Sequence, residues 1–134
     1  MKTLPDTLQA ARLTVQPALV AAYAELTNDF NPIHVDPDFA ARTPMGGVIA
    51  HGTMSIGLIW QSLQRSLGAK VFEGAKLDIR FIKPVRLGET LVAGGQSRSG
   101  EHGVYDVWVR AEKTELIEGG DRIVGSVHLS TDSQ

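Results

Sequence analysis

The spacing of apolar residues predicts two helices. The first starts at Pro17, a residue suited to a first helical position, and ends at Thr27 and Asn28. Its apolar stripe consists of Leu19, Ala22, Tyr23 and Leu26. The second runs from Gly52 to a cap at Gly68, and its first half is apolar or small on every side. A helix that is apolar all round is a buried helix.

After the second helix the apolar spacing changes to two, the period of a strand. Leu77, Ile79 and Phe81 alternate with charged residues, and residues 7–15 alternate loosely enough to predict an earlier strand. Three more strands are expected at 90–94, 104–111 and 123–129, with turns at 101–103 and 119–121. This order predicts the α+β class, with an antiparallel β-sheet wrapped around a central buried α-helix.

Residues 28–50 predict a long ordered connection between the helices, because they contain three prolines and two adjacent glycines. One helical turn is expected at 36–41. Unstructured loops of this length are uncommon in compact domains unless they are functional or disordered. Apolar anchors favour a functional loop, and these are Phe30, Ile33, Val35, Phe39, Val48 and Ile49.

Composition excludes several classes of protein. The 134 residues are 43% hydrophobic and 21% charged, as expected of a single domain over residues 1–134. Thirteen basic and fifteen acidic residues form no basic footprint for nucleic acid or a membrane surface. Cysteine is absent, which excludes disulfides and thiolate chemistry. No apolar run near Met1 has the length of a signal peptide, so we expect a cytoplasmic location.

Candidate chemistry is concentrated in the connecting loop. Asp29 and His34 flank Asn31 and Pro32, and proline forces this segment into a shaped loop that carries a carboxylate and an imidazole. Such groups suit general acid–base chemistry. Taken alone, they also fit a turn cap and a structural histidine. Asn31 is expected to brace the turn, and Asp36 to cap the helical turn that follows.

Two blocks of sequence carry a family resemblance. The first reads Asp-Phe-Asn-Pro-Ile-His-Val-Asp at 29–36, then Phe39, Ala40 and Gly47, and Ile-Ala-His-Gly at 49–52. The second reads Phe-Ile-Lys-Pro-Val at 81–85, followed by Gly88 and Glu89. Together they resemble the signature of the MaoC-like, (R)-specific enoyl-CoA hydratase family.

This resemblance implies a hot-dog fold, a homodimer, and reversible addition of water to the trans-2 double bond of an acyl thioester, usually linked to coenzyme A. The enzyme would be a hydro-lyase, acting as an enoyl-CoA hydratase or, in reverse, as a 3-hydroxyacyl-thioester dehydratase. It implies that Asp29 and His34 hold one water, which supplies the hydroxyl and the proton on the same face. It implies no cofactor beyond coenzyme A as part of the substrate.

Gly52 is a third catalytic candidate, because it opens a buried helix. The first amides of a helix are unpaired and lie at the positive end of its dipole. Glycine also lets a carbonyl oxygen approach closely. We therefore expect the Gly52 N–H to bind the thioester oxygen as negative charge develops there.

Asn31, Ala50, His51 and Trp60 are the candidate substrate-binding residues. His51 fits a packed structural role as well as contact with the thioester. In several family members a serine lies eight residues beyond the helix-opening glycine, where this chain has Trp60. We expect Trp60 to shorten or reshape the acyl pocket.

Two alternatives stay open from the sequence. A thioesterase with the same fold would direct water at the thioester carbonyl, and a non-catalytic binding module would use Asp29 and His34 only to orient an acyl thioester. Asp29, His34 and His51 could be imagined as metal ligands, but they lie on irregular backbone without a closed tetrahedral set, so no metal is predicted. His102 and His128 are given structural roles.

Overall fold

The computed structural model describes residues 3–130, and the predicted domain of residues 1–134 extends beyond this range at both ends. A five-stranded antiparallel sheet packs on one long helix. Its order is β1-β3-β4-β5-β2. The strands are β1 (Ala11–Thr14), β2 (Lys76–Phe81), β3 (Thr90–Ser97), β4 (Val104–Ala111) and β5 (Gly120–His128).

Four α-helices precede β2, and the two long ones lie where the apolar spacing predicts them. They are α1 (Pro17–Thr27), α2 (Pro32–Val35), α3 (Pro37–Ala41) and α4 (Gly52–Leu67), with a 3₁₀ turn at Ala69–Phe72. Gly68 ends α4 with a φ of 84° and donates its N–H to the Gln64 carbonyl at 2.8 Å. Asn28 ends α1 in the left-handed region, with a φ of 56°.

The core lies between α4 and the sheet, as the class prediction requires. Leu58, Ile59 and Leu63 of α4 are at most 1% exposed. They belong to one cluster with buried residues of β1, β3, β4 and β5, including Ala11, Leu91, Ala93, Val107, Val109 and Ile123. Fully burying a side chain of this size stabilises the fold by about 1.5 to 3 kcal/mol. This packing therefore holds the N-terminus of α4 in a defined place.

β3 extends to Ser97, three residues beyond the predicted end at Gly94. The two glycines there look like a strand end in the sequence, but they permit close approach inside the sheet. A Cβ at Gly94 would lie 3.2 Å from the Trp108 indole nitrogen, and one at Gly95 would lie 2.7 Å from the Asp106 carbonyl oxygen. The predicted turn at 119–121 is also displaced, because β5 already begins at Gly120.

The connecting loop contains two short helices, where the sequence predicts one. The expected turn is α3, and Asp36 caps it by accepting the amides of Asp38 and Phe39. The additional turn is α2, which is capped by Asn31: its side-chain oxygen accepts the Ile33 N–H at 3.2 Å. Asn31 therefore braces the loop as expected. Asparagine followed by proline is also a helix-start signal.

One ion pair is buried beneath the segment that follows β2. Glu89 accepts a hydrogen bond from Arg122 Nε at 3.0 Å, and both side chains are 5% exposed. Arg122 also donates to the carbonyls of Gly120 and Glu118, at 3.2 and 2.6 Å. The buried guanidinium is thus paired with a carboxylate, and each of its three nitrogens donates a hydrogen bond. Within residues 3–130, no helix has the length and apolar character needed to cross a membrane.

Candidate active site

The end of α1 positions Asp29. The left-handed turn at Asn28 lets the Asp29 amide donate back to the Ala24 carbonyl at 3.0 Å. The Asp29 carboxylate is exposed, and its Oδ1 accepts the Asn31 N–H at 3.2 Å. Its backbone is therefore fixed, while the carboxylate is open to solvent and to a ligand.

α2 positions His34, and a hydrogen bond defines its tautomer. His34 Nδ1 lies 2.7 Å from the carbonyl oxygen of Ile49. A carbonyl can only accept, so Nδ1 carries a proton, and in the neutral ring Nε2 then carries the lone pair. Among residues 3–130, no protein group occupies Nε2. The half-buried ring therefore presents an acceptor that can take a proton from water.

His51 connects the two residues. Its ring is 2% exposed, and Nε2 donates to the backbone carbonyl of Asp29 at 3.0 Å. The same ring stacks on His34, with ring centres 3.9 Å apart and planes inclined by 26°. Tyr23 meets its edge at 5.0 Å, and the Tyr23 hydroxyl is hydrogen-bonded to Thr53 at 2.7 Å. His51 thus touches both members of the predicted pair from the buried side.

The other nitrogen of His51 has no partner in the protein. Within residues 3–130, Nδ1 is the one fully buried side-chain polar atom without a hydrogen bond. Because Nε2 bears a proton, Nδ1 of the neutral ring is a buried acceptor that no protein group satisfies, which carries a free-energy cost. An apolar ring would avoid that cost but would lose the bond to Asp29.

The spacing of the pair suits a shared water. A carboxylate oxygen of Asp29 and one ring nitrogen each of His34 and His51 lie within 4.8 Å of one another. A water that makes two hydrogen bonds of ordinary length, at a near-tetrahedral angle, separates its partners by roughly 4.6 Å. Asp29 and His34 are therefore close enough to bind the same water molecule.

Gly52 begins α4 with an available amide. His51 is the N-cap, but its side chain makes no capping bond. No acceptor among residues 3–130 takes the Gly52 N–H, as the start of a helix requires. A Cβ at position 52 would lie 3.0 Å from the Phe81 ring. Glycine therefore keeps this amide accessible beneath an aromatic side chain.

A cavity of about 360 Å³, here called the site cavity, lies beside His34 and Gly52. Its lining is mostly apolar and comprises His34, Met45, Ile49, Ala50, Gly52, Ser55, Phe81, Ile82, Lys83, Pro84, Val85 and Ile123. An apolar cavity with few polar groups suits an acyl chain whose reactive end is polar. The arrangement combines a water site, an amide donor and an apolar chamber.

The structure brings most of the predicted site residues together. His34, Ala50 and Gly52 line the site cavity, and Asp29 and His51 lie beside it. Asn31 uses its side-chain oxygen in the turn. The ring of Trp60 contacts Phe72 instead, with ring centres 5.7 Å apart, and lies outside the site cavity lining. The proposed effect of Trp60 on the acyl pocket stays a prediction.

Ser55 and Phe81 are among the lining residues that were not predicted as site residues from the sequence. Ser55 lines the cavity one turn into α4, and Phe81 covers Gly52 from the end of β2. Counting three residues from Gly52 would have placed Ser55 on the same helical face. For Phe81 the strand pattern indicated only an apolar side chain, and its ring is 58% exposed.

The three clustered side chains also have the residue types of a metal site. The two histidine rings, however, stack with their planes inclined by only 26°, and Nδ1 of His51 is fully buried. Stacked rings direct their nitrogens along nearly parallel planes rather than toward one point. The expectation that no metal is bound stays a prediction.

The amino-acid sequence is similar to those of known proteins. The family described as MaoC like domain matches residues 2–118. A 3-hydroxybutyryl-CoA dehydratase from Methylorubrum extorquens is 43% identical over 70 residues, or 52% of this chain and 45% of that protein. An (R)-specific enoyl-CoA hydratase from Aeromonas caviae is 38% identical over 89 residues, or 63% of this chain and 65% of that protein. The chain thus spans about half to two thirds of the length of these relatives.

The solved structure of an (R)-hydratase from A. caviae involved in PHA biosynthesis has the same fold. It aligns with a TM-score of 0.66 at 28% identity, covering 94% of this chain and 98% of its own. The predicted hot-dog fold is therefore confirmed. Since the family match covers most of the sequence, this chain belongs to the MaoC-like domain family.

Proposed function

We propose that this protein is an (R)-specific enoyl-thioester hydratase, which also runs in reverse as a 3-hydroxyacyl-thioester dehydratase. The observation that carries the proposal is the pairing of Asp29 and His34 within 4.8 Å, beside an apolar cavity and the free amide of Gly52. The names of the relatives describe the same hydration and dehydration chemistry. Equilibrium sets the direction of the reaction.

In the hydration direction, Asp29 and His34 hold the attacking water. The water oxygen forms a bond to the β-carbon of the enoyl group as one of its protons passes to the pair. The π electrons move onto the α-carbon and the thioester oxygen, and a proton from the pair is then delivered to the α-carbon. Atoms and charge balance, because the two protons of one water end on the hydroxyl and on the α-carbon.

The Gly52 amide stabilises the charge that develops on the thioester oxygen. This N–H lies at the positive end of α4, and the first turn carries no competing side-chain cap. One such donor is typically worth about 3 kcal/mol in the transition state. The apolar lining of the site cavity strengthens the interaction, because it excludes water from the reacting end.

The test is an assay of the purified protein with crotonyl-CoA. We expect the absorbance of the conjugated enoyl thioester to fall, with (R)-3-hydroxybutyryl-CoA as the product and no release of free thiol. Free coenzyme A would instead indicate a thioesterase. Unchanged absorbance together with saturable binding would indicate a binding module. Either of these outcomes would overturn the proposal.

We further expect a homodimer, because β2 forms an exposed edge of the sheet. Unpaired strand edges are usually covered in native proteins. Large apolar side chains are also exposed at the end of β2, at Phe81 and Ile82, and next to Asp29, at Phe30. Light scattering should give twice the chain mass of 14.4 kDa. A monomer at micromolar concentration would contradict this expectation.

A further inference from the structure

A second cavity adjoins the site cavity. It measures about 710 Å³ and is here called the outer cavity. Lys83 and Pro84 line both cavities, while Arg86, Leu116 and Glu118 line only the outer one. The two cavities are therefore adjacent at Lys83 and Pro84, and the outer one is lined by cationic side chains.

The segment that contains Lys83 and Pro84 is hydrogen-bonded to the loop that carries His34 and Ile49. The Ala50 amide donates to the Val85 carbonyl at 2.8 Å, and Ile49 and Arg86 form an isolated antiparallel bridge. The Ile49 carbonyl is the group that binds His34 Nδ1. Lys83 and Arg86 therefore flank a short piece of backbone whose position relative to the proposed water site is set by hydrogen bonds.

Two of the cationic side chains that line the outer cavity, Lys83 and Arg86, are available to bind an anion. Arg122 is buried and engaged by Glu89, so it adds little. Lys83 pairs with Glu118 at 3.4 Å, but these side chains are 51% and 82% exposed, and such surface pairs contribute little. Within residues 3–130, no carboxylate lies within ion-pair distance of Arg86, whose guanidinium packs near Gly47.

We propose that Lys83 and Arg86 bind the phosphate at the end of the pantetheine arm of the thioester substrate. The inference rests on the proposed function, because the thioester must lie in the site cavity for the arm to reach the outer one. Arginine and lysine are the usual partners of phosphate oxygens. Coenzyme A and acyl carrier protein both carry this phosphate on the same arm, so the contact suits either carrier.

The test compares thioesters that differ only in this phosphate. The parent, Lys83→Gln and Arg86→Gln are assayed with crotonyl-4′-phosphopantetheine and with crotonyl-pantetheine. Each variant should raise the KM for the phosphorylated substrate about tenfold, the size expected for loss of a hydrogen bond to a charged group. The KM for crotonyl-pantetheine should change less than twofold. Arg80→Gln, an exposed cation on β2, is the matched control and should leave both constants unchanged.

The carrier is distinguished in a second set of assays, with crotonyl-CoA and crotonyl-acyl carrier protein. An effect of the variants on one carrier identifies that carrier as the source of the phosphate, and an effect on both supports a contact common to the two. Equal changes with and without the phosphate, or no change with it, would overturn this proposal alone. Failure of the parent to hydrate any of these thioesters would overturn the proposed function instead.

Discussion

Replacing His34 with alanine is expected to lower kcat for crotonyl-CoA hydration by roughly 10² to 10⁴-fold, the usual contribution of a positioned acid–base group. The hydrogen bond from Nδ1 to the Ile49 carbonyl directs the lone pair of Nε2 away from that carbonyl. Alanine removes this acceptor and leaves the water with one partner. Steady-state kinetics measure the loss.

His102→Ala is the matched control, since His102 lies in the exposed turn between β3 and β4. It should keep the parental kcat. Circular dichroism and thermal unfolding should show that both variants remain folded. A His34→Ala enzyme that is folded and retains near-parental turnover would contradict the assignment of this residue as proton acceptor.

Replacing Asp29 with asparagine is expected to cause a loss of similar size. Asparagine keeps an oxygen that can accept the Asn31 N–H, as Asp29 Oδ1 does at 3.2 Å. The backbone carbonyl that binds His51 is also unchanged. The substitution therefore removes the negative charge and the proton-accepting capacity while leaving the loop contacts in place. Asp38→Asn, at an exposed aspartate in α3, is the control.

The double variant, Asp29→Asn with His34→Ala, decides whether the two side chains act on one water. Groups that act as a unit lose most of their contribution when either is removed, so their effects are far from additive. We expect the double variant to be little slower than the slower single variant. Fully multiplicative losses would mean that the side chains act independently, and the shared water would then be wrong.

Much of the fold could be predicted because its signals are local. The 3.6-residue spacing from Pro17 and from Gly52 gave α1 and α4, and the change of period after Gly68 located the strands. The prediction failed where a local signal was ambiguous. Gly94 and Gly95 resemble a strand end in the sequence, whereas in the sheet they make room for Trp108 and the Asp106 backbone.

The catalytic candidates could also be named from the sequence, but their relations could not. Asp29 and His34 were identified by their order around Asn31 and Pro32 within a family signature. The tautomer of His34 depends on a carbonyl fifteen residues away, and the bond from His51 to Asp29 crosses twenty-two residues. No periodicity encodes such contacts, because they depend on the path of the whole loop over α4.

Trp60 and Lys83 show most clearly what the sequence determines and what depends on the tertiary structure. Both positions are plain in the sequence, one by its departure from a family serine and the other by its place in the second signature block. The order of residues along the chain determines where the long helices and the strands form and which residue types are available for chemistry. Tertiary packing turns Trp60 toward Phe72 and places Lys83 between two cavities. A side chain's neighbours depend on how separate elements pack together, which no short stretch of sequence specifies.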